Sequence, residues 1–203
     1  SLINYADGLK LYLKGKREDP LVQEALSEIS TQADRLSKII QRVRTYAKRQ
    51  HHEVKQENLS EIVDRALVSF RRSSLSSGVD VEVKAPGKAD ALADALELEL
   101  LIVNLLKNAA AASKDSREKL ISVQLSEEAN EWLLSVSDHG QVISDKLLSR
   151  LSHPAKSFSD GLGLGLSICR LIAENHGGKL TFKPNNSKGL IVTLHLPKAN
   201  KEI

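Results

Sequence analysis

The sequence predicts an α+β protein in which an N-terminal antiparallel helical hairpin is followed by an α/β sandwich. Three observations point there. The first fifty residues keep apolar side chains at an unbroken 3-4 spacing. Beyond them, short alternating runs are interleaved with longer runs of helical period. Finally, Gly161, Gly163 and Gly165 stand at every second position ahead of an apolar helix, which is an expensive place for residues that lose so much freedom on folding.

In the hairpin, Leu2, Ala6, Leu9 and Leu13 are followed by "GKREDP", a turn closed by Pro20. Leu26, Ile29, Ala33, Leu36, Ile40, Val43 and Ala47 then form a heptad seam, with Arg, Lys, Glu and Gln on the remaining faces. Two helices with one narrow stripe each bury it poorly alone. Pairing with a second copy into a dimeric four-helix bundle through residues 2–47 is therefore expected, the alternative being a hairpin docked on its own globular domain. The polar run "AKRQHHEVKQE" ends the pattern, and the expected domains are 1–52 and 53–203.

After the boundary, an amphipathic helix starts near Ser60, and "VDVEVKA" alternates as a strand. A long helix follows with Asp94 as its N-cap. "LISVQLSEE" and "EWLLSVSD" read as two strands joined by "EEANE". The helix after the glycines ends at "HGG", where Gly177 suits the left-handed C′ position. "KLTFKP" and "GLIVTLHLP" flank the turn "NNSKG". Paired strands among helices predict a mixed sheet with helices on one face.

Composition narrows the function. The 203 residues contain no run of eighteen apolar side chains, so no membrane span is expected. The first residues lack the basic start and cleavage site of a signal peptide. A single cysteine, Cys169, allows no internal disulfide. The net charge of +3 is spread along the chain, which argues against nucleic acid. With no methionine and a helix under way at Leu2, the chain reads as an excised fragment.

Three features carry chemistry. Alternate glycines before a helix leave amides free to point at a ligand, with the positive end of the helix dipole behind them; a phosphate chain or a plain tight turn both suit this. Asn104 and Asn108 lie four apart on one helix face. They are either inter-helix hydrogen-bonders or oxygen donors for Mg²⁺ together with substrate phosphates. Asp138 ends a strand before His139-Gly140. It is either a turn former or an acceptor for the exocyclic amine of adenine, which guanine does not offer.

In combination these motifs are identifiable. "LELELLIVNLLKNAAAAS" resembles the N box of sensor histidine kinases, "SDHGQVI" a degenerate G1 box, and "DGLGLGLSICRLIAENHGGKL" a near-complete G2 box. The heptad hairpin resembles the dimerisation and phosphotransfer domain of that family, and "INYADGLKLYL" and "RLSKIIQRVRTYAKRQ" resemble its dicarboxylate-sensor type. The resemblance implies a Bergerat, GHKL-type ATP-binding fold with ATP and Mg²⁺ as cofactors. Asn108 would hold Mg²⁺, with Asn104 and Lys107 near the phosphates. Asp138, with Gly140 in the same box, would read adenine. Gly161, Leu162, Gly163, Leu164 and Gly165 would line the phosphates, and residues 144–160 would form a lid. It further implies a protein-histidine kinase with a response-regulator receiver domain as partner, and the cytoplasmic portion of an inner-membrane sensor whose membrane segments lie outside this chain.

Two departures stand out. Val142 replaces the second glycine of the G1 box, and a valine resists the positive φ a hinge glycine takes. The phosphoacceptor histidine motif is expected upstream of Ser1, so none is assigned within the chain. His52 reads as linker, His139 and His153 as loop, His176 as a helix end, and His195 as an outward strand residue. Cys169 and Trp132 read as core. A non-catalytic dimeric ATP-binding module and an ATP-driven clamp of the gyrase, chaperone or mismatch-repair type are the competing classes.

Overall fold

The computed structural model describes Ile29 and residues 53–152, 164–186 and 188–198. The chain separates into two compact units, Ser1–His51 and His52–Ile203. The helical hairpin expected over residues 2–47 lies outside the described residues, Ile29 apart, and so does the dimer expected through it.

In the second unit, strand β1 (Lys55–Asn58) leads into helix α1 (Leu59–Arg71), a 3-10 turn (Ser74–Ser76) and strand β2 (Asp80–Lys84). Strand β3 (Asp90–Ala93), helix α2 (Ala95–Ala112) and the hairpin of β4 (Leu120–Glu127) and β5 (Glu131–Asp138) come next. Helices α3 (Asp145–Ser152) and α4 (Leu164–Asn175) precede the hairpin of β6 (Lys179–Pro184) and β7 (Leu190–Pro197). The main sheet runs β2-β4-β5-β7-β6, and β1 pairs with β3 in a separate ribbon. Only β2–β4 is parallel in the main sheet, with Asp80 opposite Leu120; the other pairs are antiparallel. The expected mixed sheet is therefore present.

The sequence dictates these elements locally. Asn58 caps α1, its Oδ1 accepting from the Ser60 amide at 3.1 Å. Asp94 caps α2, its Oδ1 accepting from the amides of Leu96 and Glu97 at 3.0 and 3.1 Å. Ile62, Val63, Ala66, Leu67 and Phe70 bury one face of α1; Leu98, Leu101, Ile102, Leu105 and Leu106 do so for α2. On the sheet, Ile121, Val123 and Leu125, then Trp132, Leu134 and Val136, then Val192, Leu194 and Leu196 are buried at period two. The helices cover that one face.

On the opposite face, His195 reaches outward as expected, its Nδ1 3.1 Å from Glu131 Oε1 and its Nε2 3.0 Å from Thr181 Oγ1. Trp132 is buried as expected, and its Nε1 donates to the Asp90 carbonyl at 2.9 Å, tying the main sheet to the ribbon. Cys169 is fully buried, and burial pushes its thiol up to about 12, so it is inert at neutral pH.

Two features correct the sequence reading. Residues 55–58, taken as linker, form β1, and the residues before Asp94 form β3; four-residue strands reading "KQEN" and "DALA" carry no usable alternation. Within the expected lid, residues 145–152 are helix α3, with Leu151 buried and Leu147 and Leu148 packed on the core. Residues 153–160 lie outside the described ones.

Gly177 and Gly178 end α4 for different reasons. Gly177 has φ +66°, and a Cβ there would meet nothing closer than Pro197 Cγ at 3.7 Å. A Cβ on Gly178 would collide with the His195 carbonyl of β7. Gly177→Ala should therefore cost only the left-handed backbone penalty, about 1–2 kcal/mol. Gly178→Ala should cost more, because backbone has to move. Denaturant midpoints of the two variants check the order, and equal values would contradict it.

Candidate functional site

Asp138 is the last residue of β5 and points to the helix-covered side, where it is 5% exposed. Its Oδ1 accepts from the Gly140 amide at 2.8 Å. Burial raises its carboxyl above the ordinary aspartate range, while the backbone amides of Gly140 and Leu190 and the neighbouring His139 pull the other way. Gly140 has no room for a side chain: a Cβ would lie 2.8 Å from both the Ala112 carbonyl oxygen and Asp138 Oδ1.

The β6–β7 turn holds Asp138 from the other side. Asn185 Nδ2 donates to the Asp138 carbonyl at 2.7 Å, and the Gly189 amide donates to the Gln141 carbonyl at 3.1 Å. A Cβ on Gly189, whose φ is +91°, would collide with the Asp138 carbonyl. Sequence reasoning missed Asn185 and Gly189. "NNSKG" reads as a hairpin turn, and nothing local to it says which strand end it will press against.

A cavity of about 370 Å³ opens beside Asp138, within the range of a small-molecule site. Val136 and Val192 contribute from the sheet, Asn108 from α2, Leu147 from α3 and Leu166 from α4. The lining is mainly apolar, with Asp138 and Asn108 among its polar groups. A larger and more polar cavity of about 670 Å³ adjoins it across Ala112, Asp115, Gln141 and Val142, with Arg117, His139 and Lys188 on its walls. The smaller cavity is the better candidate, because Asp138 and Asn108 both line it.

Asn104 sits one turn behind Asn108. Its Nδ2 donates to the Leu100 carbonyl at 2.9 Å, which leaves Oδ1 facing α4. A Cβ on Gly165 would be 3.4 Å from Asn104 Oδ1 and 3.7 Å from both amide atoms of Asn108. A Cβ at these distances would stand in ordinary contact with the two asparagines, so the neighbouring helix does not itself demand a glycine here. Asn104, Asn108 and Gly165 are brought together, and Asn108 lines the same cavity as Asp138. Lys107 is half-buried next to Asn108 and does not line the cavity. Gly161, Leu162, Gly163 and His153 lie outside the described residues, and Leu164 is described only as the first residue of α4.

Val142 is 69% exposed and lines both cavities. Among the described residues only Asn186 is a non-glycine with positive φ, so Val142 does not take the backbone conformation open to a hinge glycine. His139 turns its Nδ1 to the Leu120 carbonyl at 3.2 Å, away from the smaller cavity.

Among the described residues no group of three His, Cys, Asp or Glu side chains is arranged to hold a metal. Asn108 offers a neutral carboxamide oxygen. Such a donor fits an Mg²⁺ that arrives with phosphate oxygens and keeps most of its water, and it does not fit a cation bound by protein alone.

Residues 93–200 match the family described as histidine kinase-, DNA gyrase B- and HSP90-like ATPases. The chain is 30% identical to the sensor protein FixL of Bradyrhizobium diazoefficiens over 99% of its own length and 41% of FixL. It is 29% identical to the C4-dicarboxylate transport sensor protein DctS of Rhodobacter capsulatus over 95% of its length and 30% of DctS. The chain therefore spans less than half of each of these relatives. The catalytic domain of histidine kinase ThkA is 25% identical with a TM-score of 0.62, covering 72% of this chain and 97% of that one. ThkA in complex with response regulator protein TrrA has a TM-score of 0.70 at 24% identity, covering 100% of this chain and 59% of that one, a likeness of fold. The expected resemblance to sensor histidine kinases, a dicarboxylate sensor among them, is met. By its strand order, by its apolar cavity ending in a buried aspartate and by this match, the chain belongs to the family of histidine kinase-, DNA gyrase B- and HSP90-like ATPases.

Proposed function

We propose that this chain is the core of a two-component sensor histidine kinase. It binds Mg·ATP in the cavity beside Asp138 and presents the γ-phosphoryl group to a histidine of the whole protein, from which a receiver-domain aspartate takes it. The observation that carries the reading is the buried Asp138 carboxyl group on a mainly apolar cavity that Asn108 also lines, with Gly165 at the start of α4 beside Asn108.

Each residue has a task in this reading. Asp138 accepts from the exocyclic amine of adenine, and the apolar walls take the ring. Asn108 holds Mg²⁺, with Asn104, Lys107 and the segment from Gly161 to Gly165 around the phosphates. A magnesium ion held by Asn108 would supply positive charge against the phosphates. Because phosphoryl transfer needs mainly positioning and charge neutralisation, a site without an acid–base pair is adequate. Residues 1–52 are the dimerisation and phosphotransfer hairpin, pairing two chains through residues 2–47, and 53–203 the ATP-binding domain. The receiver partner is supported by ThkA, whose structure was determined with a response regulator. No described helix is long and apolar enough to cross a membrane; placing this chain on the cytoplasmic side of a membrane sensor rests on the relatives named as sensors.

Asp138→Asn separates binding from stability. A raised carboxyl pKa means the folded chain holds that proton more tightly than the unfolded one. Its contribution to stability is present at acid pH and lost as pH rises through the folded-state value. Ionising that carboxyl group in the empty site carries a desolvation cost that asparagine lacks. Asp138→Asn should raise the melting temperature of the nucleotide-free chain. It should weaken ATP binding by roughly ten- to a hundredfold, the loss of one charged hydrogen bond at about 1.5–3 kcal/mol. Calorimetric titration with ATP and GTP checks this: the preference for ATP should collapse, and equal wild-type affinities would remove Asp138 from the site.

Asn108→Ala should leave ATP affinity the same in excess Mg²⁺ as in chelator, since the metal ligand is what it removes. A variant whose affinity still rises with Mg²⁺ would show that the ion is held elsewhere.

A further inference from the structure

Helices α2 and α4 touch along one antiparallel register. At the end remote from the cavity, the Asp94 amide donates to His176 Nε2 at 3.0 Å. Seven residues further along α2 and seven back along α4, Cys169 Sγ approaches the Leu101 carbonyl at 3.6 Å. At the cavity end, Gly165 faces Asn104 and Asn108, with Asn104 Oδ1 3.4 Å from the position of a Cβ. The two inner contacts are undemanding: a thiol is a weak donor, and a glycine offers no side chain to fix an angle. The strongest directional link in the register is the outer one.

Chemistry sets the form of that imidazole. An amide can only donate, so Nε2 must be the unprotonated nitrogen, and the ring proton sits on Nδ1. Nδ1 then donates to the Ile172 carbonyl at 2.8 Å, one turn back on α4. The ring is thereby locked to its own helix through one nitrogen and to the N-cap of the other helix through the second. Asp94 is also the residue whose carboxylate caps α2 through Leu96 and Glu97, so the link grips a fixed point of that helix.

We propose that His176 is a positioning residue for the nucleotide site. Its neutral, Nδ1-protonated ring pins α4 against the N-cap of α2. That pin sets how Gly165 and the start of α4 lie against Asn104 and Asn108, about 16 Å away at 1.5 Å per residue. This rests on the reading of Asn104, Asn108 and Gly165 as part of a Mg·ATP site. Helices transmit such a constraint as rigid elements with few internal degrees of freedom.

Two conservative variants separate the bonds. Glutamine places an amide oxygen where Nε2 lies and keeps the acceptor for Asp94. Asparagine places an amide nitrogen where Nδ1 lies, keeps the donor to Ile172 and loses Asp94. His176→Asn should weaken Mg·ATP binding by roughly three- to thirtyfold, the range of mutations that act on a site without touching its ligand. His176→Gln should bind within about twofold of wild type, inside the error of additive substitutions. Without nucleotide, hydrogen exchange of the amides of Ile168–Ile172 should quicken in the asparagine variant and match wild type in the glutamine one. Ring ¹⁵N shifts of the wild-type chain should show His176 neutral with the proton on Nδ1. Wild-type behaviour of the asparagine variant in binding and exchange, equal damage by both substitutions, or a ring proton on Nε2 would each overturn the proposal. A wild-type chain that does not bind Mg·ATP would instead overturn the nucleotide reading, and the exchange and ¹⁵N measurements would then decide the register alone.

Discussion

Desolvation of the Asp138 carboxylate is the constraint on which the neighbouring structure depends, because a charge taken out of water costs several kcal/mol unless donors replace its hydration. The chain supplies those donors from the backbone. The amides of Gly140 and Leu190 turn to the carboxyl group, and Asn185 holds the carbonyl of the same residue. Bringing two backbone segments this close excludes side chains, which is why glycines stand at 140 and 189. The carboxyl pKa nevertheless stays raised, so the amides compensate only part of the burial. The unbalanced part is what a ligand offering an N–H donor would relieve, and there lies the link from packing to selectivity.

Helix α2 connects this corner to the rest. Its apolar side, Leu98, Leu101, Ile102, Leu105 and Leu106, lies in the core, while Asn104 and Asn108 occupy the side that meets α4 and the cavity. A polar face on a mostly buried helix is costly unless it has work, and here Asn104 spends one amide hydrogen on its own helix and turns its oxygen to Gly165. Helix α3 supplies Leu147 to the same cavity. Its sequence is strongly amphipathic, so it docks by its leucines and leaves Asp145, Lys146 and Ser149 outward.

Much of this was legible in the sequence where physics is local. The cap at Asp94, period-two burial in β4, β5 and β7, and the left-handed Gly177 follow from residue types and their spacing. The shared face of Asn104 and Asn108 follows from helical period, and the strand-end place of Asp138 from the alternation that precedes it. What escaped was long-range. β1 and β3, four residues each, are too short to announce themselves. Asn185 and Gly189 matter because the β6–β7 turn closes onto β5, a fact of tertiary pairing.

The most direct test of the account is a crystal structure of the chain with Mg²⁺ and a non-hydrolysable ATP analogue. The expected result places the adenine amine within hydrogen-bonding distance of the Asp138 carboxylate, the ring between Val136, Leu147 and Leu166, and the metal ion on the Asn108 carboxamide. A nucleotide seated in the larger neighbouring cavity, or a metal ion held by carboxylates with Asn108 unengaged, would contradict it.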